Sequence, residues 1–347
     1  MVICSGLIEQ WTESFLKITR LKEEDIYVIK GYPTLKKLFK EGKHYKVYIS
    51  SIETLRNYIL NADSVYVDLP TYEEFLVLFQ IGVKIIDEFH LQFAAINTID
   101  LRSNVENNLY LSATPERAEK QADKIFKIVF PYKYIYGTKM LDKYTRAFMY
   151  EYRIELPYQS TKYLTTNYGY SHVNYEGLIC SDEAIRSHFI KNILIPLVDA
   201  YYINEFSVKY PDTKCKCLIL VQTVQMAEIL QQYLAYNYPD KIVKTYLGKD
   251  PIDNLRISDI IISTPKSCGV GKDVADLCCT INTISIGSKP LVAQIFGRLR
   301  KLKDGRVPVF VDIYNSYLPQ HKYHARTREY IYKDHAATYE HIRSSGN

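Results

Sequence analysis

Residues 83–90 read VKIIDEFH: an apolar run that ends in Asp87, Glu88 and His90. Short apolar runs of this kind form buried strands, so the two acids fall where a strand gives way to a loop. A carboxylate there can hold a hydrated magnesium ion, which screens the charge of a bound triphosphate. A second carboxylate beside it can take a proton from an attacking water. A histidine two residues on can relay the state of the phosphate site to a neighbouring domain. Taken alone, the tetrapeptide is weak, because a surface turn carrying two acids has the same composition.

Order along the chain strengthens the signal. Leu111-Ser112-Ala113-Thr114 closes another strand pattern downstream of the acids. Ile262-Ser263-Thr264-Pro265-Lys266 comes off a strand in the second half of the chain and runs on to Gly271-Lys272-Asp273. Gln294 and the run Gly297-Arg298-Leu299-Arg300-Lys301 come off a helix pattern. A guanidinium offers planar donors of permanent charge to a transition state that spreads charge over phosphate oxygens.

In that order these stretches resemble motifs II, III, V and VI of superfamily 2 helicases of the DExH branch. They are most similar to the phage and large-virus UvsW-like group, which itself resembles the XPB and RecG enzymes. Leu7-Ile8-Glu9-Gln10-Trp11 is similar to the segment after motif Ia, Ser50-Ser51-Ile52-Glu53-Thr54-Leu55 to motif Ib, and Leu220-Val221-Gln222-Thr223 stands where motif IV would. The resemblance runs from residue 2 to about residue 315. It implies a motor that uses ATP and Mg2+ on DNA. Asp87 would bind the metal, Glu88 would be the general base, and His90 and Gln294 would couple nucleotide state to the opposite domain. Ser112 and Thr114 would join the acids to the nucleic-acid track. Asp273 would lie near the ribose or the domain cleft. Arg298 and Arg300 would reach the γ-phosphate across a crevice between two lobes. Ser51, Thr54, Thr223, Thr264 and Lys266 match the positions that grip nucleic-acid phosphates, contacts that carry little sequence information and weaken with salt.

The sequence departs from this pattern in three places. Lys301 stands where the commonest motif VI has its second arginine, and Arg300 precedes it by one residue, a spacing that some viral helicases share. Lys272 replaces the usual aliphatic residue before Asp273, which leaves the role of that aspartate open. The third departure is the largest. A phosphate-binding Walker A loop needs a glycine, four residues, then Gly-Lys followed by a hydroxyl residue. The Gly-Lys pairs here are followed by His44, Asp250 and Asp273. Three explanations follow: a fragment of a longer helicase, a loop supplied by a separate chain, or a nucleic-acid-binding or partner subunit that has given up hydrolysis. The same motifs are compatible with an RNA helicase.

The elements that must position these residues are legible as alternating strand and helix patterns. Strands are expected at Val2–Cys4, Ile26–Ile29, Lys46–Ser50, Val83–Asp87 and Asn108–Leu111. A second series is expected at Cys217–Val221, Ile242–Tyr246, Asp259–Thr264, Thr280–Ile286 and Val307–Asp312. Helical patterns fill the gaps, among them Leu7–Ile18, Thr71–Phe79 and a long stretch capped by Ser181 or Asp182. This rhythm predicts an α/β fold with parallel sheets covered on both faces. The resemblance makes it two RecA-like domains in tandem, the first without its N-terminal strand and phosphate loop. Domain 1 is expected at 1–135, a tyrosine-rich connector at 136–180, domain 2 at 181–315, and a solvated helical tail at 316–347.

Composition sets the outer bounds. At 347 residues, 47% apolar and 24% charged, the chain has material for two cores and is globular. No apolar run approaches the ~18 residues of a membrane span, and the first residues do not read as a secretory signal. Seven scattered cysteines without CxxC pairs imply reduced thiols and a cytoplasmic setting, that of the host if the chain is viral. Cys215 and Cys217 read as small buried side chains rather than metal ligands. The 32 tyrosines suit half-wet strands, with base stacking as the sharper alternative. His321, His324, His335 and His341 fall in the tail without cysteine companions, as expected of a solvated helix more than of a metal site.

Overall fold

The computed structural model describes residues 1–2, 7–89, 92–112, 124, 127–131, 135–136, 143–167, 169–268 and 274–343. The chain divides into two units, Met1–Arg117 and Ala118–Asn347.

In the first unit, β1 (Ile26–Ile29) pairs in parallel with β2 (Val47–Ser50), and β3 (Val83–Ile86) pairs in parallel with β4 (Asn107–Tyr110). The first two residues join these pairs. Val2 N donates to Ser50 O at 2.9 Å and Val2 O accepts from Ile52 N at 2.8 Å. On the other side Met1 N donates to Ile85 O at 2.6 Å, and Met1 O accepts from Asp87 N at 3.1 Å. The layer therefore runs β1, β2, residues 1–2, β3, β4. Helices at Ile8–Ile18, Tyr32–Glu41, Ile52–Leu60, Tyr72–Leu78 and Phe93–Asp100 connect the strands. Their ends follow local chemistry. Thr71 and Glu74 close a reciprocal cap, with Thr71 N donating to Glu74 Oε2 at 2.7 Å and Glu74 N donating to Thr71 Oγ1 at 3.3 Å. Gly42 ends the helix Tyr32–Glu41 at φ +58°, a conformation that costs a Cβ-bearing residue more than glycine.

The second unit is built on one sheet of seven parallel strands: β5 (Arg146–Tyr152), β8 (Lys216–Leu220), β9 (Val243–Tyr246), β10 (Ile260–Ser263), β11 (Leu277–Asn282), β12 (Val309–Asn315) and β13 (Thr338–Arg343). The spatial order is β13-β5-β12-β11-β8-β10-β9. A small antiparallel pair, β6 (Thr165–Thr166) with β7 (Gly169–Tyr170), lies apart from it. Every residue of β8, β10, β11 and β12 is buried, as helices on both faces require. Each fully buried Ile, Val or Leu in such a strand contributes about 1.5–3 kcal/mol.

Two expectations change here. The segment 136–180 is not a mere connector, because it carries β5, which pairs with β12 and β13 inside the sheet. Its pattern hides this: Arg146, Tyr150 and Glu151 interrupt the apolar residues of RAFMYEY. The C-terminal segment is not a solvated tail. Helix Pro319–His335 buries His321, Ala325, Arg328, Ile331 and Tyr332, and β13 follows it as the sheet edge. Its low mean apolarity conceals the packing, because its inner face sets His321 and Arg328 among the apolar Ala325, Ile331 and Tyr332.

The polar part of that face is held by an ion pair. Arg328 Nε donates to Asp312 Oδ2 at 2.6 Å, with both side chains at 0% exposure. Asp312 also accepts from Asn282 Nδ2 at 2.8 Å and Tyr332 OH at 3.1 Å. Arg328 Nη1 donates to Ile286 O at 3.2 Å. Helix 319–335 is thereby tied to β11 and β12 by a nearly satisfied buried network, the kind whose disruption is costly. Arg328→Met should lower the unfolding free energy by about 3–5 kcal/mol, because it leaves Asp312 charged without its cation. Urea denaturation measures this. Adding Asp312→Leu should recover part of the loss, and a double variant as unstable as the single one would show that the stranded charge is not the cause.

Candidate functional site

Parallel strands place their carboxyl ends on one edge of a sheet, and in each unit several candidate residues follow such strand ends. In the first unit, Ser51 and Thr54 follow β2, Asp87 and Glu88 follow β3, and Ser112 follows β4. In the second, Thr223 follows β8, while Thr264 and Lys266 follow β10, its neighbour in the sheet. Ligands of open α/β sheets bind outside this edge. Gln294 lies on helix Lys289–Phe296, which has Pro290 in its first turn, and Arg298 follows it half-buried. Arg300 and Lys301 are exposed. His90, Thr114 and Asp273 lie outside the described residues.

Asp87 is positioned by a residue to which the sequence assigns no role. The indole of Trp11 donates to Asp87 Oδ2 at 3.0 Å, from helix Ile8–Ile18. Both side chains line a cavity of about 390 Å³, together with Phe15, Tyr45, Tyr48 and Phe79. Glu88 has φ +48°, a left-handed backbone that costs a side-chain-bearing residue about 1–3 kcal/mol, and such outliers concentrate at functional sites. The turn holds two adjacent carboxylates at the strand end. Hard carboxylate oxygens suit Mg2+, which is commonly held by one or two of them plus water and substrate phosphate. Asp87 and Glu88 fit that requirement.

The small polar residues have local duties. Ser51 Oγ accepts from Thr54 N at 3.1 Å and lies 2.8 Å from Thr54 Oγ1, capping helix Ile52–Leu60. Thr264 Oγ1 accepts from Ser267 N at 3.2 Å. Thr223 Oγ1 accepts from Met226 N at 3.2 Å, capping helix Val224–Asn237, and donates to Glu176 Oε2 at 2.7 Å. The sequence marks these positions by residue type, and the structure shows their hydroxyls closing helix N-termini.

Glu176 is a partner of the candidate residue Thr223 that sequence reasoning missed. Its carboxylate is buried and accepts from Gln222 N and Thr223 N, each at 2.7 Å, besides the Thr223 hydroxyl. It thus pins the loop after β8. His172, one turn earlier on the same helix, lies 3.5 Å from it. The i, i+4 spacing of His172 and Glu176 is the only sequence signal, and many exposed helical pairs share it. Around them, His172 Nδ1 accepts from Ser285 N at 3.4 Å and lies 3.1 Å from the Tyr170 hydroxyl. His321 Nδ1 accepts from Asn315 N at 3.3 Å, which assigns its proton to Nε2, facing the Tyr170 hydroxyl. Burial, then His172, Arg328 and His324, hold His321 well below the ordinary histidine value, so it is neutral. His324, held lower mainly by burial, contacts Ser285 through Oγ at 3.0 Å and through the carbonyl at 3.1 Å. His321 and His324 are thus core components. Among the described residues no group of three or more His, Cys, Asp or Glu side chains is placed to hold a metal.

No protein-family model and no curated protein matches the sequence. Solved structures do match in shape. Dbp5 of S. cerevisiae bound to RNA and ADP BeF3 superposes with a TM-score of 0.54 at 13% identity, over 99% of this chain and 76% of that one. The helicase Lhr of Mycobacterium smegmatis bound to ssDNA and AMP-PNP gives 0.56 at 13% identity, over 98% of this chain and 42% of that one. The DUF1998 helicase MrfA bound to DNA and AMPPNP gives 0.54 at 15% identity, over 98% and 45%. The fold is helicase-like. At such identities the likeness concerns the fold alone: α/β, RecA-like, with parallel sheets. Among the described residues no helix is long and apolar enough to cross a membrane.

Two measurements probe the polar cluster. Glu176→Gln removes the charge and half the acceptor capacity, leaving at least one buried donor at Gln222 or Thr223 unmatched. It should destabilise by about 1–3 kcal/mol, read as a lower thermal midpoint, with amide exchange at 222–226 accelerating first. His321 generates a pH dependence of defined sign. The unfolded chain takes up a proton near the ordinary value of 6.5 that the folded chain refuses. Stability from this group is therefore complete above that pH and falls as the pH drops below it. His321→Asn should flatten the dependence in urea titrations, and an unchanged slope would assign it elsewhere.

Proposed function

We propose that this chain is the motor portion of an ATP-dependent DNA helicase or translocase of the UvsW-like kind, acting on duplex or branched DNA. The observation that carries the reading is Asp87-Glu88 at the carboxyl end of β3, with Glu88 in a left-handed turn, in a chain of helicase-like fold. In this reading Asp87 holds Mg2+, whose charge screens the β- and γ-phosphates when bound. Glu88 takes the proton of the attacking water, and Trp11 fixes the Asp87 carboxylate. Arg298 and Arg300 donate to phosphate oxygens, with Lys301 as the neighbouring cation. Gln294, His90 and Asp273 serve nucleotide coupling. Ser51, Thr54, Ser112, Thr114, Thr223, Thr264 and Lys266 border the nucleic-acid track. The setting is cytoplasmic.

The phosphate-gripping loop is supplied, in this proposal, by additional residues of a longer polypeptide or by a separate chain. Supporting this, β4 is bonded as a strand only to β3 among the described residues, with its own Leu109 53% exposed and the following Leu111 40% exposed. A second reading rests on the three Gly-Lys pairs that lack a following hydroxyl residue. It is a nucleic-acid-binding or partner subunit that does not hydrolyse ATP.

The test is ATP hydrolysis by the chain joined to, or mixed with, a segment bearing GxxxxGK[ST], with and without DNA or RNA. Stimulation by DNA above RNA is expected. Glu88→Gln should lower the rate by about 10²–10⁴-fold, the usual worth of a positioned base, while nucleotide binding persists. Hydrolysis unaffected by Glu88→Gln would overturn the assignment of the base. Salt-sensitive DNA binding with no hydrolysis in any combination would establish the second reading.

A further inference from the structure

The second unit carries a charged pocket that the helicase reading does not use. Side chains alternate between the two faces of a strand, and Glu151 of β5, Tyr314 of β12 and Arg343 of β13 project from one face of the sheet. The register sets them in a row, with Glu151 opposite Tyr314 on one flank and opposite Arg343 on the other. Helix Pro319–His335 packs on that face through Ala325 and Tyr332, and it contributes Lys322, Arg326 and Glu329, successive positions one turn apart. Together these side chains line a cavity of about 260 Å³ near the carboxyl ends of the three strands.

The charges of the lining do not cancel. Glu151 is already engaged: Tyr314 OH donates to its Oε2 at 2.9 Å, and Arg343 Nε lies 3.5 Å from the same oxygen. His341 Nε2 lies 3.1 Å from the Tyr314 hydroxyl and 3.7 Å from that carboxylate oxygen. Glu329 is paired at 2.8 Å with Lys333, the next turn of its own helix. Lys322 and Arg326 are exposed and stand in no ion pair among the described residues. Like charges one turn apart on a helix repel. An anion seated between them turns that repulsion into two attractions.

We propose that this pocket binds a phosphate group, held between Lys322 and Arg326 with Arg343 at its rim. A guanidinium presents paired planar donors that match phosphate oxygens, and an ammonium adds a compact charge beside them. A phosphate dianion answers two uncommitted cations, where a carboxylate answers one. The cavity takes the phosphate and part of the molecule that carries it. The carrier is a nucleic-acid backbone or a small phosphorylated molecule, which present the same group to the pocket.

Calorimetric titration of the full chain with sodium phosphate at low ionic strength reads the group itself, and anisotropy of a labelled single-stranded oligonucleotide reads the polymeric carrier. Lys322→Gln combined with Arg326→Gln should weaken phosphate binding by about tenfold or more, the worth of lost charge-assisted hydrogen bonds. Lys191→Gln combined with Lys209→Gln removes the same charge outside the pocket and should change it by less than about twofold. Wild-type protein supplies a reading independent of folding in the variants: phosphate should raise its thermal midpoint, and sodium chloride of equal ionic strength should not. An oligonucleotide that is weakened by the pocket variant and displaced by phosphate identifies the backbone as carrier. One that binds the variant unchanged identifies a small molecule. Phosphate binding equal in wild type and pocket variant, equal loss in the control variant, or a wild-type midpoint that phosphate leaves in place would overturn the proposal.

Discussion

Parallel pairing is the constraint on which this molecule turns. Strands that run the same way need crossover connections, so helices cover both sheet faces and the apolar strands vanish from solvent. Within each unit the same constraint sends the carboxyl ends of the parallel-paired strands to one edge. Residues far apart in sequence, such as Ser51, Asp87 and Ser112, or Thr223 and Thr264, then share an edge without any direct attraction between them. Their side chains need only close the local turn or cap the next helix. The site is a by-product of sheet geometry, and its chemistry comes from the few residues that do more than cap.

Those few residues are held by polar contacts drawn from elsewhere in the chain. Trp11 comes from the first helix to fix Asp87, and Glu176 comes from a tyrosine-rich segment to fix the loop after β8. Arg328 reaches from helix 319–335 into the sheet to meet Asp312, with Asn282 and Tyr332 filling the remaining acceptors. A buried charge tolerates little displacement, because every lost partner leaves a group that water cannot solvate. Such contacts specify position more than they add stability, which suits an edge where loops must be held in register.

Much of the strand pattern was legible, because a strand covered on both faces must be a continuous apolar run. Ile26–Ile29 matches its expected bounds, β9 starts one residue later than expected, and β8 and β10 differ from theirs by one residue at each end. Near the sheet edge the rule weakens. β5 carries Arg146 and Glu151, and β13 carries Glu340, His341 and Arg343, so both looked like linker or tail. The tail helix misled for a related reason. Its buried face holds Arg328 and His321, residue types whose burial depends on partners that local sequence does not name.

By itself the sequence determined the alternation of strand and helix, the acids at the end of β3 and the ordered motifs, because these depend on residue type and short spacing. The tertiary structure alone decided that Trp11 would hold Asp87, that Glu176 would be the clamp on Thr223, and that Arg328 would meet Asp312. Hydrogen bonds and ion pairs act over a few ångströms of space, whatever the distance along the chain. Only the folded sheet brings such partners within that range.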